Sequence, residues 1–134
     1  MRLEKLALTE FRNFTHSLVE LRPRLNFFVG DNGQGKTNLL EAVYLLCRGH
    51  SFRPSDSTTL LRRGGPGRAK IAGLFVHRDI HYKVELGIEP GRKTAKINEK
   101  STNSASLMAR LPVVLFSPES LSAIKDGPEQ RRDL

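Results

Sequence analysis

The sequence predicts an α/β fold, with a mixed sheet around one central helix and an antiparallel β meander beside it. Three observations lead there. Leu25-Asn26-Phe27-Phe28-Val29 is an apolar run that reads as a buried strand and stops at a glycine. Residues 37–47 then place Leu39, Val43 and Leu46 at i, i+4 and i+7, with Leu40, Ala42 and Cys47 widening the stripe of a helix covered on most sides. Further on, Tyr82, Val84, Leu86 and Ile88 alternate at a period of two, flanked by strand-like stretches at 69–76 and 93–97.

In chain order, Leu3, Leu6 and Leu8 separated by polar neighbours suggest a first strand over residues 2–11 with one face covered. Phe11-Arg12-Asn13-Phe14 forms a turn with aromatic anchors, and Ser17–Leu21 returns antiparallel to the first strand. Arg22-Pro23-Arg24 is a corner that a sheet interior would not accept. After the central helix, Gly49 is the expected C-cap. Residues 51–57 are polar and rich in breakers, Thr59-Leu60-Leu61 is a short helical turn, and 62–68 is an exposed loop. Arg78-Asp79 and Pro90-Gly91 join the strands of the meander. Ser104–Leu111 reads as a helix closed by Pro112, and Val113–Phe116 as a strand buried on both faces. A short helical stretch through Ile124 and the start of another at Pro128 follow, so that the sequence reads as a fragment of a longer protein.

Between the apolar run and the central helix, Gly30-Asp31-Asn32-Gly33-Gln34-Gly35-Lys36-Thr37 fills every fixed position of G-x-x-x-x-G-K-[ST]. The glycines allow positive φ and remove the Cβ atoms that would bump a phosphate, so successive N–H groups can turn inward on an anion. The helix that follows adds its partial positive end. Lys36 is suited to the β- and γ-phosphates of a nucleoside triphosphate such as ATP, and the Thr37 hydroxyl to Mg²⁺.

With 134 residues, 38% hydrophobic and 27% charged, the chain has room for one domain. Its apolar runs are far too short to span a bilayer, and its alternating charges at the N-terminus do not suit a signal peptide, so a cytoplasmic location is expected. The net charge of +8 sits almost wholly in residues 48–100, which hold twelve Lys/Arg and five Asp/Glu. Such a block beside a nucleotide site suits a polyanion such as DNA. Arg53, Arg62, Arg63, Arg68, Lys93 and Lys96 are the candidate contacts, expected to meet phosphates rather than read bases. Cys47 is the single cysteine and reads as core; His77 and His81 flank a turn and do not form a zinc pair.

Hydrolysis needs an acidic residue at the end of a second buried strand to hold Mg²⁺. No apolar run here ends that way. The motif alone leaves open a small-molecule kinase, or a DNA-binding module with a vestigial loop.

The ordered set Phe11-Arg12-Asn13-Phe14, Gly30 to Leu40 followed by Glu41-Ala42, Ser51-Phe52-Arg53, Phe116-Ser117-Pro118-Glu119 and Lys125-Asp126-Gly127-Pro128 with Arg131-Arg132 resembles the RecF family of bacterial repair ATPases, among the SMC-like heads related to ABC transporters. The resemblance implies the N-terminal part of an ABC-type ATPase head over 1–134, with its phosphate loop at 30–37 and its basic meander at about 69–97. It implies ATP and Mg²⁺ as cofactors, and binding to single-stranded, gapped or junction DNA. It further implies an ATP-dependent homodimer, work with recombination mediator proteins in repair and replication restart, and no membrane partner. Weak DNA-stimulated ATPase activity is expected of the complete family protein. By position, Arg12 is a candidate phosphate contact beside the nucleotide. Ser117 and Pro118 stand about where such heads carry a metal-sensing glutamine, so that role stays unassigned.

Overall fold

The computed structural model describes residues 1–29, 35–53 and 55–116. Its sheet has six strands, β1 (Arg2–Phe11), β2 (Phe14–Glu20), β3 (Ala69–His77), β4 (Ile80–Glu89), β5 (Arg92–Ile97) and β6 (Lys100–Thr102). Their order is β2-β1-β3-β4-β5-β6, and every neighbouring pair is antiparallel. Three helices complete the described residues: α1 (Lys36–Arg48), α2 (Ser57–Leu60) and α3 (Ser104–Arg110).

Because side chains alternate across a strand, pairing register decides which residues share a face. One row across the sheet runs Val19, Leu6, Gly73, Val84, Ile97; the next runs Ser17, Leu8, Ile71, Leu86, Ala95. These rows form the covered face. Ala42, Leu45, Leu46 and Cys47 of α1, Leu60 of α2 and Leu107 of α3 join them in one core. Each large apolar side chain removed from water there contributes about 1.5–3 kcal/mol. Gly73 makes the notch that admits α1, since a Cβ on it would stand 2.8 Å from Leu46 Cδ1. At the helix's far end Gly49 takes φ 79° and donates its N–H to the Leu45 carbonyl, ending α1 where the sequence places its C-cap.

Two of the expected strands do not form. Residues 25–29 and 113–116 carry no regular secondary structure. Phe27 is 79% and Val29 91% exposed, as are Val114 at 79% and Phe116 at 81%. An apolar run becomes a buried strand only where a neighbour pairs with it, and among the described residues none does. Instead, residues 113–116 pass the end of α1, where Arg48 Nη2 donates to the Val113 carbonyl at 3.1 Å. The helical stripe also differs in detail. Leu40 is 46% exposed, while Leu45 and the charged Glu41 are sealed at 0%. Strand β6 is an addition, reached through a two-residue turn in which Asn98 and Glu99 have φ of 49° and 70°. The stretches expected to be helical after residue 117 lie outside the described residues. Among the described residues, no helix is long and apolar enough to cross a membrane.

Candidate functional site

Helix α1 begins at Lys36, directly after Gly35, which has φ 88° and offers no side-chain cap. There is no acidic residue in the first turn of α1. Its leading N–H groups and positive dipole end therefore meet no carboxylate of their own turn. Of the motif, Gly35, Lys36 and Thr37 are described; Gly30, Asp31, Asn32, Gly33 and Gln34 lie outside the described residues. Thr37 is exposed and Lys36 half-buried.

The β1–β2 turn packs against this helix start. A Cβ on Gly35 would meet Asn13 Nδ2 at 2.9 Å and Phe14 Cζ at 3.1 Å. Its φ of 88° favours glycine, and any side chain there would have to push Asn13 and Phe14 aside. Phe11, wholly buried, anchors the turn from below. Backbone bonds tie it sideways: the Arg12 N–H donates to the Leu60 carbonyl at 2.9 Å, and the Arg62 N–H to the Glu10 carbonyl at 3.0 Å. Arg12 itself has φ 52°, the sharp bend that aims its side chain along α1.

That side chain ends on Glu41. Arg12 donates from Nε at 2.9 Å to Oε1 and from Nη2 at 3.0 Å to Oε2 of this carboxylate. Arg53 bonds the same group, with Nη2 at 2.6 Å from Oε1 and Nε at 3.1 Å from Oε2. The Ser51 hydroxyl completes the set, donating to Oε2 at 2.5 Å. Burial pushes the Glu41 carboxyl toward its neutral form, but the bonds from Arg12, Arg53 and Ser51 outweigh it and hold its pKa below the ordinary value. The 51–53 segment is kept in place by Phe52, whose ring meets Tyr44 of α1 edge-on at 5.5 Å between centroids.

The cluster connects back to the motif. Arg53 Nη2 donates to Asn38 Oδ1 at 2.7 Å, and Asn38 Nδ2 donates to Asn13 Oδ1 at 2.9 Å. Beside it opens a hollow of about 430 Å³ whose lining includes Arg12, Asn13, Asn38, Thr59, Arg62 and Arg63. Among the described residues no group of three or more His, Cys, Asp or Glu could hold a metal ion.

The six basic residues singled out by sequence separate into groups. Arg53 is half-buried on Glu41, and Arg62 is paired with Glu10. Arg63 lines the hollow beside Arg12, whereas Arg68 lines another, of about 550 Å³, with Lys70, Gly87, Arg92 and Thr94 near the sheet end. Lys93 and Lys96 are exposed on β5, three residues apart and so on opposite faces. Sequence reasoning missed the roles of Glu41, Asn38 and Asn13. One local signal existed for Glu41: it precedes Leu45 by four residues, which puts it on the face turned to the core.

A family model described as the RecF/RecN/SMC N terminal domain matches residues 2–124. The chain belongs to that family. Within it, the chain is 44% identical over 133 residues to the DNA replication and repair protein RecF of Halothermothrix orenii, covering 98% of this chain and 35% of that protein. It is also similar to the solved structure of the recombination mediator protein RecF-ATP in the RecFOR pathway, with TM-score 0.86, 33% identity, and coverage of 98% of this chain and 37% of that one. The SMC head domain from Thermotoga maritima shares the fold at TM-score 0.68 and 23% identity, covering 82% of this chain and 42% of that one. The architecture is accordingly that of the N-terminal part of an ABC-type ATPase head. The chain spans about a third of the length of the RecF relatives it matches.

Proposed function

We propose that this chain is the nucleotide-binding portion of a RecF-type ATPase head, in which residues 30–37 hold the phosphates of ATP and Thr37 takes part in holding Mg²⁺. The observation that carries this reading is the start of α1. A glycine with positive φ, a lysine and a threonine open a helix whose first turn lacks acidic residues, and two arginines converge on a buried carboxylate beside it. Thr37, exposed at the start of α1, offers a hydroxyl suited to Mg²⁺, which would offset phosphate charge when bound with the nucleotide. The hollow of about 430 Å³ lined by Arg12, Asn13 and Asn38 supports this reading, because it lies beside the same residues that meet the start of α1. Gly30, Asp31, Asn32, Gly33, Gln34, Gly35, Lys36 and Thr37 are the cofactor-binding set, with Arg12 as an added phosphate contact.

In the complete protein this site serves recombinational DNA repair and replication restart. ATP binding there is coupled to dimerisation on DNA and to work with recombination mediator proteins. The basic residues Arg63, Arg68, Lys93 and Lys96 supply phosphate contacts, with Arg53 and Arg62 set further back by their ion pairs. Binding rather than turnover is the activity expected of this chain, because no apolar run in it ends in the acidic residue that would hold the metal for hydrolysis.

Titration with a fluorescent ATP analogue tests the reading. Lys36→Ala is expected to weaken binding on the order of tenfold or more, the worth of one or two charge-assisted hydrogen bonds. Equal affinity in the variant would sink the assignment. A parallel titration with labelled DNA at two salt concentrations should show affinity falling as salt rises.

A further inference from the structure

We propose that Glu41 is a positioning residue that presents Arg12 and Arg53, side by side, to the phosphates of a nucleotide held at the start of α1. The inference rests on residues 30–37 being the nucleotide site. Glu41 is 0% exposed and so touches no ligand itself. It acts through the two guanidiniums, which keep 18% and 27% of their side-chain surface and so reach the outside that Glu41 does not.

The charge balance points to an anion. One carboxylate between two guanidiniums leaves a positive charge uncompensated among the described residues of the cluster, and the first turn of α1 offers no acidic residue to absorb it. Stability alone does not account for this. A buried ion pair is often no more stable than an apolar replacement of the same shape, and a second arginine adds a further desolvated cation. A multiply charged phosphate chain would complete the set.

The placement fits that occupant. Arg53 bonds Asn38, Asn38 bonds Asn13, and Asn13 packs on Gly35, so the arginine pair sits a short chain of contacts from the last glycine of the motif. Without Glu41, two like charges held within a few ångströms repel and their long side chains spread into solvent. Each would then have to be ordered again when a phosphate binds, at a loss of affinity.

The test measures ATP dissociation constants for the full chain and for Lys36→Ala, Glu41→Gln, Arg12→Gln and the double variant Arg12→Gln/Glu41→Gln, with circular dichroism to verify folding. Glu41→Gln is expected to weaken ATP on the order of tenfold or more. Its effect should shrink in the Arg12→Gln background, because both changes act on one contact. Wild-type affinity in Glu41→Gln, or strictly additive losses in the double variant, would overturn the proposal while Lys36→Ala still reports on the site itself. No ATP binding by the unmodified chain would overturn this and the nucleotide reading together. Should Glu41→Gln fail to fold, Glu41→Asp keeps the charge but draws both guanidiniums back by about 1.5 Å, one C–C bond. It is expected to fold and to bind ATP more weakly, and unchanged affinity there counts against the proposal equally.

Discussion

Phe11→Ala is expected to destabilise the fold by about 3–5 kcal/mol, the range for emptying a buried phenylalanine site. Phe11 is 0% exposed at the end of β1, and its backbone forms a bridge with Leu61. Phe11 therefore joins two segments, the β1–β2 turn that carries Arg12 and residues 60–62 that lead to Arg63, and its buried side chain belongs to the core that both rest on. The cavity cannot close without moving one of them. Urea denaturation should show a lower midpoint with an unchanged slope. Nucleotide affinity should fall at urea concentrations where the variant is still folded, because Asn13 no longer sits firmly against Gly35. Phe11→Leu retains most of the volume and should recover most of both losses. A variant that loses stability but keeps full affinity would separate the packing from the site.

Acid is expected to weaken the same region through Glu41. Unfolded, the carboxyl titrates near its ordinary 4.5; folded, its bonds from Arg12, Arg53 and Ser51 keep it ionised to lower pH. Its contribution to stability is thus complete above about pH 4.5 and is lost as pH falls through the lower folded value. Glu41→Gln removes that contribution at every pH. At neutral pH the variant should be less stable by about 2–4 kcal/mol, somewhat under the full cost of breaking a sealed ion pair because both arginines can partly rehydrate. The gap between the two proteins should narrow as pH drops below 4.5. Asp56 and Glu85 also hold depressed pKa values, Asp56 through bonds from Thr59 and Glu85 chiefly through Lys70, but both groups titrate alike in the two proteins. Thermal melts at closely spaced pH values give the comparison, and parallel curves down to the acid limit would contradict it.

Most of the sheet was legible because its signals are local. The alternation Tyr82, Val84, Leu86, Ile88 and the two-residue turn at Arg78-Asp79 define β3 and β4 with little help from elsewhere. The aromatic pair around Arg12-Asn13 likewise marked a turn that the structure keeps. What could not be read depends on partners distant in sequence. Residues 25–29 and 113–116 have strand composition, but composition does not supply a neighbour to bond. Glu41 is the converse case: a carboxylate in a helix reads as solvated, and its burial makes sense only once Arg12 and Arg53 arrive from elsewhere in the chain. Strand β6 was missed because Lys100–Thr102 is three residues long and polar. For Lys93 and Lys96 the charge was visible, but the faces they take follow from pairing with β4.

Cys47 gives this chain a chemical clock. The only thiol in the sequence lies between α1 and the sheet, 3% exposed, with burial pushing its pKa up to about 11. A thiol so protonated and so enclosed reacts with an alkylating reagent only when the helix that bears Lys36 and Glu41 lifts away. Labelling rates, divided by the rate for the unfolded chain, then give the free energy of that opening directly. Saturating ATP should slow the reaction, and Lys36→Ala should abolish the slowing, so one native atom reports whether the helix is held shut from its far end.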